Sequence, residues 1–210
     1  MTLRQVHMPG GAGGPVGRGG HSTLLPALTV ENRTQGVLAV PEQQPQAELV
    51  RIRYDLTGRP VSTLATSTGW QNPGNAAGPP NGSLASITGG LSSISGSLTL
   101  DFADPVGKDS LTVTDARLLF YGRLRGVILA NAFLRYERSI NGVNTQLIAF
   151  TENVDHLTTP YVAPLGTPTW AELATVRATV AGQTNAASAG AVVELDAVEL
   201  VVTAFREDTL

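Results

Sequence analysis

Cysteine is absent from the 210 residues, which excludes disulfides and thiolate metal sites and leaves the redox compartment open. Lysine is almost absent: Lys108 stands alone beside thirteen arginines. The balance of 14 basic and 17 acidic residues gives a net charge of −3, and a chain without a basic surplus is not expected to bind nucleic acid. No apolar run approaches the roughly 20 residues of a membrane span, so no membrane partner is expected. The opening MTLRQVHMPGG has no apolar core of a signal peptide, so export by that route is not expected. Nothing has the three- and four-residue apolar spacing of a long amphipathic helix. Internal repeats are also missing, and aromatic residues make up only 5%.

What is present is strand-like. Hydrophobic residues are 42% of the chain, enough for a buried core. The stretch VVELDAVELVVTA, residues 192–204, is apolar and β-branched, but its alternation changes phase. Val193 and Leu195 share one face; after Ala197 the apolar set becomes Val198, Leu200 and Val202, with Glu199, Val201 and Thr203 opposite. Side chains on a strand alternate with period two, so a one-residue slip predicts a β-bulge near Asp196–Ala197 in a closing core strand.

Upstream, Val50, Ile52, Tyr54 and Leu56 alternate with Arg51 and Arg53. Residues 61–68 form a second candidate strand, followed by the loop GWQNPGNAAGPPNG, residues 69–82. Leu98, Leu100 and Phe102 alternate in a third, and residues 111–113 and 116–121 give two short ones. Residues 127–140 and 143–151 flank Asn141-Gly142, a strong hairpin signal. Residues 152–169 are expected to be a Thr/Pro-rich loop, ending at Thr169 as a cap for one helical turn, WAELA. Val176, Ala178 and Val180 open the last strand before the closing one. Many short strands with Gly, Pro and Asn turns predict an all-β fold, an antiparallel β-sandwich of jelly-roll or Greek-key type, over residues 47–210.

Residues 1–46 differ. GGAGGPVGRGG, residues 10–20, cannot build a core, and PEQQPQ, residues 41–46, has linker composition. The segment is expected to be an extended N-terminal arm that packs on neighbouring subunits, with Gly10, Gly13, Pro15, Arg18, His21, Leu24 and Leu25 as contact residues.

Catalytic signatures are weak. Of three histidines, His7 and His21 fall in the arm, and only His156, beside Asp155 and near Glu152, is a candidate. The sequence has no G-x-S-x-G, H-E-x-x-H or phosphate-loop pattern, and the pair Asp101/Asp104 borders a turn that favours aspartate for local reasons. No catalytic residue and no cofactor are expected. Glu194, Asp196 and the acidic turn 101–109 offer calcium only scattered oxygens, so no metal site is assigned. Carbohydrate binding is the functional alternative: Trp70, Asn72, Asn75 and Trp170 are candidate glycan residues, unless the tryptophans are lids on the core. The pairs Arg51/Arg53 and Arg123/Arg125 are spaced to meet a neighbouring strand's carboxylates, or else, with Arg135/Arg138, to form solvated faces. Asn81-Gly82-Ser83 and Asn32-Arg33-Thr34 match the glycosylation pattern, read as coincidence without an export signal.

The loop Gly69-Trp70-Gln71-Asn72-Pro73-Gly74-Asn75-Ala76 resembles the G-W-x-N-P-x-N-A opening of jelly-roll domains in tailed-phage and prophage structural proteins. The strand with Leu98, Leu100 and Phe102, and the closing strand with Asp196, Val198, Leu200 and Val202, extend the resemblance over roughly residues 60–204. It implies a non-enzymatic virion component, such as a capsid-decoration, neck or tail-associated protein. Its partners would be other particle proteins and copies of itself, and assembly would take place in the host cytoplasm.

Overall fold

The computed structural model describes residues 49–64, 69–102, 110–129, 131–188 and 190–209. The arm, its contact residues Gly10 to Leu25 and the boundary at residue 46 lie outside them.

Eleven strands and one short helix account for the described fold: β1 (Leu49–Gly58), β2 (Pro60–Leu64), β3 (Ala85–Thr88), β4 (Ile94–Phe102), β5 (Thr112–Arg125), β6 (Phe133–Ile140), β7 (Val143–Phe150), β8 (Val154–Asp155), β9 (Tyr161–Gly166), α1 (Trp170–Leu173), β10 (Arg177–Thr184) and β11 (Val192–Thr209). They form two antiparallel sheets, which makes the expected β-sandwich. One has the order β1-β11-β5-β8, with β3 also beside β11 and β9 beside β5; the other runs β2-β4-β10-β6-β7. Only β6 and β7 are both consecutive in the chain and adjacent in a sheet. Nearly every other connection switches sheets.

Alternation builds the core between the layers. Leu98 and Leu100 of β4, Ala178 and Val180 of β10, and Leu134 and Tyr136 of β6 are buried on one side. Leu118, Phe120 and Leu124 of β5 and Val193, Leu195, Val198, Leu200 and Val202 of β11 are buried on the other. Phe120 and Tyr136 stack across the interface with ring centroids 4.5 Å apart. The predicted bulge is present: register with β5 shifts between Leu195 and Ala197. The β6–β7 hairpin turns at Asn141 and Gly142, both at positive φ (52° and 77°), as a two-residue loop of type I′ requires. Thr169 caps α1 in a reciprocal capping box with Glu172.

Four boundaries differ from the sequence reading. The two short strands expected at 111–113 and 116–121 are one strand, β5. A second register shift, opposite Thr203–Ala204, leaves Thr114 extra, so the apolar phase breaks at Thr114–Asp115 while the strand continues. Residues 127–129 and 131–132 are not strand. Gly126 turns the chain at φ 106°, and a β-carbon there would overlap the Gly190 carbonyl oxygen, so Val127 and Leu129 are apolar surface residues. Residues 152–169 are not only loop, since β8 and β9 pair along β5, their strand signal obscured by Pro160 and Pro164. Finally, β11 runs five residues past Ala204 to pair with all of β1.

Gly182 shows how tightly the layers close: an added β-carbon would stand 2.9 Å from Val193 Cγ1 and 3.1 Å from the Ile87 side chain. Gly182→Ala is expected to destabilise the domain by about 1–3 kcal/mol through overpacking, read from the midpoint of denaturant unfolding.

Candidate interaction surface

The outward side of β11 is buried as well, which is unusual for a face that carries acids. Each of its polar groups is matched. Glu194 accepts from Arg123 Nε at 2.7 Å and from Arg125 Nε at 2.9 Å and Nη2 at 3.0 Å. Arg123 and Arg125 lie on β5, so the spacing expected to meet a neighbouring strand's carboxylate does so. Asp196, at the bulge, accepts from the backbone amides of Asn81 (3.2 Å) and Gly82 (3.1 Å). Glu199 accepts from the Tyr121 hydroxyl at 3.2 Å and faces Arg59 at 3.5 Å. Thr203 donates to Asp55 at 2.8 Å. Arg51 likewise faces a carboxylate of the neighbouring strand, Glu207 of β11, at 3.7 Å; Arg53 bonds Asp55 and Arg135 pairs with Glu137, each on its own strand, and Arg138 reaches the Pro164 carbonyl.

This face engages two of the candidate calcium ligands, Glu194 and Asp196, while residues 103–109 of the acidic turn lie outside the described residues. Asp196 latches a loop and Glu194 is held by two guanidiniums. Among the described residues no group of three or more His, Asp or Glu is placed to hold a metal. Burial alone would raise the Glu194 carboxyl, but the Arg125 and Arg123 hydrogen bonds outweigh it and hold the group below its ordinary 4.5.

Three of the four candidate glycan residues, Trp70, Asn72 and Asn75, lie in the loop that Asp196 latches. Trp70 is 6% exposed and belongs to the core, so it presents no ring face on which a sugar could stack. Asn72 takes a left-handed conformation (φ 50°) to start a 3-10 turn, and Asn75 Nδ2 donates to the Leu84 carbonyl at 3.1 Å. Trp170, on α1, donates from Nε1 to the Leu111 carbonyl at 2.7 Å. Both tryptophans are built into packing, as lids are. Asn81, of the Asn-Gly-Ser pattern, accepts from the Ser83 amide at 2.7 Å.

His156 lies among rings, with centroids 5.1 Å from Phe150, 5.9 Å from Tyr161 and 6.3 Å from Tyr136. Burial lowers its pKa below 6.5, with Asp155 opposing. The Asp155 carboxylate is itself engaged by the Leu157 amide at 2.9 Å and by Arg123 at 3.5 Å. Burial raises the nearby Tyr136 hydroxyl above its ordinary range. A polar hollow of about 500 Å³ lies between Asp101, Ser139, Asn141 and Thr175. Its groups are satisfied internally, by Arg177 Nε to Asp101 at 2.7 Å and by Thr175 Oγ1 to Asn141 at 3.0 Å.

One pole of the sandwich behaves differently, and the sequence reading did not single it out. The Gly89 amide donates to the Ala191 carbonyl and the Leu129 amide to Ser188 Oγ, both at 2.8 Å, and Gly126 touches Gly190. These ties gather three loops at one end, and on them Leu91 is 97% exposed, Val127 62% and Leu129 52%. The available signal was the isolation of each apolar residue beside glycine, in Gly89-Gly90-Leu91 and Gly126-Val127.

No described helix is long and apolar enough to cross a membrane. Comparison with known protein families and with curated proteins finds no match to this chain.

Two outcomes follow from this geometry. Glu194 contributes stability that is complete above pH 4.5 and is lost as pH falls from 4.5 through its depressed folded value. Glu194→Gln is expected to flatten that part of the acid dependence in thermal melts. At neutral pH it is expected to cost about 1–3 kcal/mol, toward the lower figure because Arg125 is half exposed. Trp70→Ala is expected to cost about 3–5 kcal/mol in chemical denaturation, whereas an exposed sugar platform would tolerate the change.

Proposed function

We propose that this chain is a non-enzymatic structural component of a phage or phage-like particle, of the decoration, neck or tail-associated kind, that works by binding neighbouring subunits. The observation that carries the reading is the apolar pole. Leu91, Val127 and Leu129 stand exposed on loops fixed to one another by main-chain and hydroxyl hydrogen bonds. Large apolar side chains grouped on a held scaffold are the usual mark of a protein contact. The loops that elsewhere on sandwich folds carry ligands are here committed to packing through Asp196, Asn75 and Trp70. The resemblance of Gly69–Ala76 and the closing strand to phage jelly-roll proteins supplies the particle. The arm, with its glycine-rich residues 10–20, supplies reach: an extended segment crossing to neighbours adds contacts at modest size per subunit, and symmetry repeats them.

The test is incorporation. Particles are purified from cells producing the full chain, a chain lacking residues 1–26, or Leu91→Asp/Leu129→Asp, and bound chain is quantified by mass spectrometry. The full chain is expected in the particles at fixed stoichiometry. Both altered chains are expected to melt as folded domains and to be depleted from particles at least tenfold. Absence of the full chain from particles, or normal incorporation of both altered chains, overturns the reading.

A further inference from the structure

We propose that the free edge of β7 is a self-association surface, pairing antiparallel with β7 of a second copy of this chain about a two-fold axis. Among the described residues β7 is the last strand of the five-stranded sheet, and its outer edge pairs with no other described strand. A free edge presents unpaired amides and carbonyls to any other strand, and sheets normally guard such edges. The other described edges are guarded. β1 carries the exposed charges Arg51, Arg53 and Asp55. β2 opens on Pro60, and β9 contains Pro164. β3 has four residues and is bridged at Ser86 by Gln71, and β8 has two residues.

β7 has none of these devices. Its eight residues, VNTQLIAF, include no charge and no proline, and they span about 27 Å. The single irregularity is an extra residue, Leu147, opposite Tyr136–Glu137, which leaves Val143–Gln146 regular.

The neutrality of the strand identifies the occupant. In two-fold pairing each side chain near the axis meets its own copy, so any charge there would face a like charge. An uncharged strand is what self-pairing requires, and a charged partner strand would find no counter-charge on β7. The partner must also be a free, unguarded edge, and a second copy supplies one of equal length. Val143 adds an apolar reason. It is paired with Ile140, which packs against the core, yet it is 68% exposed. Full-length antiparallel pairing brings it beside Phe150 of the second copy, which covers it.

Gln146 is at the middle of the strand, so pairing sets it next to its own copy. It also faces Glu137 across β6, so lysine at this position is compatible with the fold. The full chain, of 21.9 kDa, is expected to show a concentration-dependent dimer by sedimentation velocity, with β7 amides protected from hydrogen exchange only where the dimer is populated. Gln146→Lys and Gln146→Glu are each expected to weaken the dimer at least tenfold, and an equimolar mixture of the two to restore it. The proposal is overturned by a wild-type chain that stays monomeric, by association without β7 protection, or by variants that associate like wild type. Weakening by both variants with no rescue on mixing also overturns it, because it assigns the edge to another occupant such as a neighbour's arm. All readouts are on the isolated chain, so failure here leaves the particle reading to its own incorporation test.

Discussion

The bulge at Asp196 is the constraint on which the rest of the domain depends. β11 is the longest strand and is buried on both sides, which a strand of alternating valine and glutamate achieves only if the acids are answered. Shifting the register by one residue places Val193 and Leu195 before the bulge, and Val198, Leu200 and Val202 after it, on the same core. It also turns the Asp196 carboxylate out of the alternation to receive the amides of Asn81 and Gly82. Without the slip, half of the strand would direct its carboxylates into the apolar interior, at a cost of several kcal/mol for each uncompensated charge. The acids that remain outward then organise their surroundings. Glu194 gathers the two arginines of β5, Glu199 gathers Tyr121 and Arg59, and Thr203 reaches Asp55 of β1. One strand thus locates β1, β5 and the loop that carries Trp70.

Much of this was legible in the sequence because period-two alternation reports burial directly. The bulge, the Asn141-Gly142 turn, the Thr169 cap and the core faces of β4, β10 and β11 each had a local chemical signature. The misreadings share a physical cause. At Thr114 a second bulge breaks the phase, so one strand looked like two. Around Val127 and Leu129 apolar residues stand on the surface, and composition cannot separate an exposed valine from a buried one. β9 contains a proline, which an edge strand tolerates and a central one does not, so its strand character depends on its place in the sheet. The candidate site was less legible still. Trp70 with Asn72 and Asn75 has the same residue types whether it serves a sugar or a loop, and only the partners at Leu84 and Asp196 decide. The polar matching on β11 was half visible: the arginine spacing on β5 foretold a carboxylate partner, but which one depends on register.

The domain's chemistry is therefore mostly directed inward. Glu194, Asp196, Glu199 and the Trp170 indole are bonded within the domain, and large exposed apolar side chains occur at the loops of one pole and on β7 and β9. Such a distribution favours the proposed contact role, because affinity between proteins comes from burying apolar surface within a polar rim.

The connectivity also sets a timescale. With β6–β7 as the one local hairpin among the described strands, nearly every one of them must find a partner far along the chain, and folding rates fall steeply as contacts become less local. β11 comes last of the described strands yet lies between β1 and β5, so on a ribosome the six-stranded sheet cannot close until β11 has been made. Until then the acids of β11 are not yet there to hold Arg123 and Arg125, and the nascent chain displays its core faces to the cell.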